Sequence, residues 1–179
     1  MQKAGLITVP PLKNLRQLVH GYHGLKTMSA TVRLDDIIEA LEMQFDEFPS
    51  FLDLDTGKVE TISKEALSEA EEPDDEDLDL PDDEESELAK RIVSSPRFLD
   101  LPSNFDVHEW AIMEDFSHSV KSDKIRQDLL HAIHGAGAFR NFKYIVRRDG
   151  IEPAWFAFRS DALRQIAIDW CEQNQITWE

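Results

Sequence analysis

Two glycines one residue apart, Gly135 and Gly137, stand just ahead of Phe139-Arg140-Asn141-Phe142-Lys143. Free backbone amides opening a helix there, with charge added by Arg140 and Lys143, would cradle a phosphate or another anion. The surrounding residues argue for something plainer. No Gly-Lys-Ser/Thr follows, so the P-loop pattern is missing, and the residues before Gly135 read as helix where a dinucleotide fingerprint needs a strand. The small residues Ala132, Gly135, Ala136 and Ala138 suit close helix approach or a tight bend between two helices, and that packing role is the expectation.

The cations beyond the glycines form the second candidate. Arg140, Lys143 and Arg147 recur at helical spacing, with Arg148 adjacent, and make one ridge opposite Phe139, Phe142 and Val146. A ridge of this kind contacts phosphates in a nucleic-acid or anion-binding surface. It also matches an ordinary solvated helix face.

Other arrangements offer less. Leu54-Asp55-Thr56-Gly57 resembles the active-site triplet of aspartic proteases, but two such triplets must face each other so that their carboxylates share a proton, and one is present. A hairpin turn accounts for the same residues. His131 and His134 lie one helical turn apart with Asp128 nearby, as do His20 and His23 near the start, yet helical histidines more often pack or cap than bind metal. The acidic run lacks the calcium-loop pattern. Cys171 is the single cysteine, which excludes an internal disulfide and a cysteine-based zinc cluster. No catalytic residue, metal ligand set or cofactor is therefore assigned. An unrecognised hydrolase using Asp53, Asp55 or the histidines stays as an alternative.

These residues must be positioned by a body of 179 residues with 41% apolar content, enough for one hydrophobic core. Its net charge of −17 is unevenly spread. Fourteen Asp and Glu with no Lys or Arg fall between Glu65 and Glu87, whereas Met1 to Leu34 holds five cations and no acid. With two prolines and dense like charge, the stretch at about 65–87 reads as a disordered acidic linker, anchored at most by Leu78 and Leu80. Residues 1–28 form a poorly patterned leader, with Met28 as an alternative start. Residues 29–179 form the single domain that the linker interrupts.

Within that domain, apolar spacing predicts a helix from Thr31 to Phe48. A hairpin follows in Phe51-Leu52-Asp53-Leu54-Asp55-Thr56-Gly57-Lys58-Val59. Ser63 is expected to cap a brief helix, and another runs from about Glu85 to Val93. The segment Phe98-Leu99-Asp100-Leu101 echoes Phe51-Leu52-Asp53-Leu54, so the two are expected side by side in one antiparallel sheet. Asp106 with Glu109 resembles a capping box. Ser122 opens the next helix, and the glycine stretch leads into one ending at Asp149-Gly150. Pro153 to Phe158 reads as a strand, Ser160 as the cap of the last helix, and Gln175 to Glu179 as an edge strand. Trp110, Trp155, Trp170 and Phe158 read as core. The fold class is α+β, mostly helical with a small antiparallel sheet of about three to four short strands.

The motifs taken together resemble a bacterial family, uncharacterised protein family 0158. The match rests on the Gly-x-Gly-Ala-Phe-Arg-x-Phe-Lys run, the Trp-aromatic-x-Phe segment at Trp155 to Phe158, the Trp-containing terminal helix and the Phe51 to Val59 hairpin. It spans Thr31 to Ile176, with the acidic linker as its variable middle. Asn141 departs from it, since a second basic residue commonly follows the arginine. The resemblance supports the domain limits and implies no activity.

The expected function is that of a small cytoplasmic binding or regulatory protein without its own catalysis, its partner another protein. The alternative is nucleic-acid association through Arg140, Lys143, Arg147 and Arg148, modulated by the acidic linker. No apolar run approaches the roughly 18 residues of a membrane span, and no membrane partner is expected.

Overall fold

The computed structural model of the chain describes residues 31–43, 46–71 and 83–179. The leader at 1–28, with His20 and His23, and the centre of the acidic linker, with Leu78 and Leu80, lie outside those residues.

The fold is α+β, with helices around a three-stranded antiparallel sheet. The first helix, α1 (Leu34–Glu42), buries Leu34, Ile37 and Leu41. It stops short of the expected Phe48. That residue precedes Pro49, which disfavours helical backbone before it, and its side chain is exposed. The hairpin is as expected: β1 (Ser50–Asp53) pairs with β2 (Val59–Thr61).

The echoed segment, β3 (Phe98–Asp100), lies on the other side of β1, giving the order β2-β1-β3. Phe51 faces Asp100, Leu52 faces Leu99, and Asp53 faces Phe98. Strand alternation then sorts the side chains by face. Leu52 and Leu99 join the main core, while Phe51 and Phe98 join a second, smaller cluster. Because both faces of the sheet are covered, β1 is buried along its whole length.

The cover on the second face comes from α2 (Lys64–Glu71) and α3 (Glu84–Ser94). The expected acidic linker at about 65–87 is thus helical at both ends. Leu67 and Ala70 on one helix, and Leu88, Ala89 and Ile92 on the other, supply apolar stripes that pack with Phe51 and Ile62. Ser63 Oγ accepts from the Ala66 N–H at 3.2 Å, and Asp83 accepts from the Ser86 N–H at 2.8 Å, so each helix has a side-chain cap. A bond from the Ser63 N–H to Glu85 at 3.1 Å ties the two starts together.

The rest is helical: α4 (Asn104–Val107), α5 (Glu109–Ser119), α6 (Asp123–Ala132), α7 (Ala138–Arg148) and α8 (Glu152–Gln173). The capping box lies three residues earlier than expected. Ser103 is the N-cap, and its N–H and Oγ both donate to Asp106, at 2.9 and 2.6 Å. Ser122 caps α6 as expected.

The largest correction concerns Pro153 to Phe158, which is the first turn and a half of α8 and not a strand; Ser160 sits mid-helix and caps nothing. Proline is well placed in an opening turn, where its missing N–H has no intrahelical partner to lose. Trp155, Leu163, Ala167 and Trp170 then recur on one helical face and are buried. Phe116 of α5 packs edge-on against Phe142, Trp155 and Phe158, knitting α5, α7 and α8 together. The end of the chain makes a single parallel bridge, Trp178 with Val32, in place of the expected edge strand.

Candidate functional site

The glycine joint settles between its two expected packing roles. Gly135 and Gly137 have φ of +93° and +78°, in the left-handed region where residues with a Cβ are strained. A Cβ built on Gly135 would meet nothing within 4 Å, and one on Gly137 would approach only the flexible end of Arg140, at 3.3 Å. These glycines serve the bend from α6 into α7. Close helix approach, the other expected role, does not occur at them.

That bend sends α7 off with Phe142, Ile145 and Val146 buried. Phe139, expected on the same buried side, is exposed. The cationic ridge is exposed as expected but is not electrostatically uniform. Arg147 pairs with Glu152 at 3.2 Å, and Arg148 bonds Asp128 at 2.7 Å and Asp149 at 2.6 Å. Those bonds raise the Arg148 pKa and hold the Asp149 carboxyl below the usual carboxylate range. Among the described residues, Arg140 and Lys143 have no carboxylate partner. The free positive charge of the ridge therefore sits in its first half.

The other candidates do not converge. Asp128 serves Arg148, which removes it from the histidine pair, and the His134 ring lies 6.2 Å from the indole of Trp110. Among the described residues, no three His, Cys, Asp or Glu side chains are grouped to hold a metal. Asp53 is buried and bonded to Arg97 at 3.0 Å, while its other oxygen accepts from the Asp55 N–H at 3.0 Å. Its carboxylate is committed to anchoring the hairpin turn and joining it to the approach to β3. Cys171 is fully buried, and burial pushes its thiol up to about 11.

A groove absent from the sequence reading lies between α4, α5, α7 and α8, with Leu41 and Glu42 at the end of α1 closing it, and has a volume of about 610 Å³. Four large aromatic side chains around it stay in contact with solvent: Phe105 at 81%, Phe156 at 61%, Phe139 at 47% and Trp110 at 40% exposure. Exposed aromatics scattered singly need no explanation, but four converging on one concavity do. Trp110, expected in the core, instead stands at its wall and donates its indole N–H to the Ile133 carbonyl at 2.9 Å. Lys143 enters the groove from α7. Arg159 also lines it, bonded to Glu109 at 2.8 Å.

Local backbone explains why the aromatics converge. His108 adopts left-handed dihedrals, φ 48° and ψ 53°, and separates α4 from α5. Left-handed backbone is costly for a residue with a Cβ, though histidine is among the types that adopt it more readily. Here the kink turns Phe105 outward on the short α4, its ring 5.5 Å from the His108 ring. On α8, Trp155 and Phe156 are neighbours on different sides of the helix; Trp155 takes the core and Phe156 the groove. Only this second signal was available from sequence, and reading the segment as a strand concealed it.

Among the described residues, no helix is long and apolar enough to cross a membrane. A UPF0158 protein of Pseudomonas aeruginosa is 28% identical over 148 residues, which are 82% of this chain and 84% of that protein. No solved structure matches the chain. The model of uncharacterised protein family UPF0158 matches residues 28–179, a span that takes in the sheet, every helix and every wall of the groove, and the chain belongs to that family.

Proposed function

We propose that the protein is a cytoplasmic docking module whose binding surface is the aromatic groove between α4, α5, α7 and α8. The observation that carries this reading is the convergence of Phe105, Trp110, Phe139 and Phe156, all solvent-exposed, on one concavity. Leaving so much aromatic surface in water disfavours the isolated protein, and covering it on binding recovers that free energy. Aromatic side chains are also those most enriched at binding hot spots, since they bring large contact area with few rotors to fix. The protein acts in this reading by holding a partner.

Site-specific photocrosslinking in living cells tests the groove directly. A benzophenone-bearing residue in place of Phe156 is expected to give discrete adducts. The same group in place of Lys90, exposed on α3 in the other layer, is expected to give none. Equal labelling at both positions, or none at either Phe156 or Phe105, would remove the groove from consideration.

A further inference from the structure

We infer that the occupant of the groove is single-stranded nucleic acid, held by stacking of its bases on the exposed aromatic rings and by contact of its phosphates with Lys143 and Arg140. The inference rests on the docking reading and names the chemistry of the partner.

Charge complementarity is the first argument. The eleven residues of α7 hold Arg140, Lys143, Arg147 and Arg148 and no carboxylate. Arg147 and Arg148 are satisfied by neighbouring acids, so the charge available to an anion belongs to Arg140 and Lys143. Arg140 stands in the first turn of α7, where the helix dipole disfavours a cation and favours an anion. A bound phosphate would relieve that placement and supply the anionic partner that Arg140 lacks among the described residues. Two acids line the groove: Glu109 on the α5 wall is neutralised by Arg159, and the exposed Glu42 on the α1 wall directs the phosphates of a strand to the opposite, α7 side.

The aromatic layout supplies the second argument. Lys143 lies one helical turn beyond Phe139, and both line the groove with Phe156 and Phe105. Cation and ring faces thus alternate along one surface, which continues outside the groove with Arg140 and the exposed Tyr144, also one turn apart. Single-strand binders join a positively charged track to aromatic platforms in this manner, since every base has a face to stack. A duplex keeps its base faces inside the stack and would leave the rings uncovered. A wholly apolar peptide would cover the rings but strip water from Lys143 without replacing it.

The test uses the full chain and fluorescein-labelled homopolymers of about twelve nucleotides, within the range of single-strand site sizes, as oligothymidine and oligouridine. Anisotropy is expected to rise with either strand at about 50 mM salt and less with the matching duplex. Phe156→Ala or Phe105→Ala is expected to weaken binding roughly 5- to 150-fold, the equivalent of one lost stacked base, without altering its salt dependence. Lys143→Ala is expected to weaken binding and to lower the slope of log affinity against log salt by about 0.7. Circular dichroism checks the fold of each variant; these side chains are exposed, and two separate aromatic positions guard against one failing to fold. Three results overturn the inference: no anisotropy change with either strand, duplex binding at least as tight, or binding indifferent to both aromatic substitutions. Any of these alongside adducts at Phe156 leaves a docking groove with a different occupant. Absence of those adducts removes the groove itself.

Discussion

Gly135 shows how one residue type can invite two accounts that a single substitution separates. Its φ of +93° strains any residue with a Cβ, yet the space where that atom would go is empty. Gly135→Ala is therefore expected to cost the conformational penalty alone, about 1–2 kcal/mol, measured by urea unfolding. A much larger loss would mean that the glycine lets two helices touch. Small residues in a sequence fix neither φ nor neighbours, which is why a bend and a close approach remained equal expectations there. Asp53 was more legible. The turn residues around it announced a hairpin, and the buried pairing with Arg97 follows from where that hairpin meets β3. The cationic ridge was legible as exposed charge, but its division into paired and unpaired halves was not. Asp149 is the sequence neighbour of Arg148, but Asp128 reaches Arg148 only because α6 lies beside α7, and Glu152 reaches Arg147 from the start of α8.

At the scale of elements, local chemistry was readable wherever it was decisive. Ser122, the Gly57 turn and the twin Phe-Leu-Asp-Leu strands all behave as their residues dictate. Reading failed where a short window matched two periods. Trp155 to Phe158 is aromatic enough for a strand, and only the recurrence of Leu163, Ala167 and Trp170 beyond it establishes the helical repeat. At the edges of the acidic stretch the helices expected after Ser63 and from about Glu85 both form, and their sparse apolar stripes become useful once the sheet offers a second face. The start of α3 shows how that acidity contributes. Asp83 accepts from the Ser86 backbone and side chain, which holds its carboxyl below the usual carboxylate range. A lowered folded-state value means the cap stabilises α3 above the ordinary aspartate value of 3.8 and is lost as pH falls through the lower folded value. Asp83→Ala at neutral pH is expected to speed amide exchange over Glu84 to Glu87, and acidification below that range is expected to lower the protection of those amides relative to their intrinsic rates in the unsubstituted chain. Unchanged exchange in the substituted protein would mean that packing alone sets the helix start.

Across the whole molecule, the sheet divides two bodies of unequal strength. Among the described residues, twenty-two buried side chains make the main core, against four in the cluster beneath α2 and α3. The smaller layer, with less apolar surface to lose, is expected to open first. Ile92→Ala should remove about 2–5 kcal/mol from it and speed amide exchange across α2 and α3. Cys171, at the centre of the other body, reports on the main core independently. Its thiol is fully buried and its pKa is raised to about 11, so the neutral form is favoured by folding. That contribution is whole below the ordinary thiol value of 9.0 and fades as pH rises toward 11, which makes mildly alkaline labelling a fair probe of the folded state. In Ile92→Ala at about pH 8, the labelling rate of Cys171 is expected to match that of the unsubstituted chain while exchange in α2 and α3 rises. Cys171 labelling that accelerates in step with that exchange would join the two bodies into one cooperative unit through β1. The groove lies wholly on the side of the larger body, so the first result would also leave its shape intact when the acidic helices loosen.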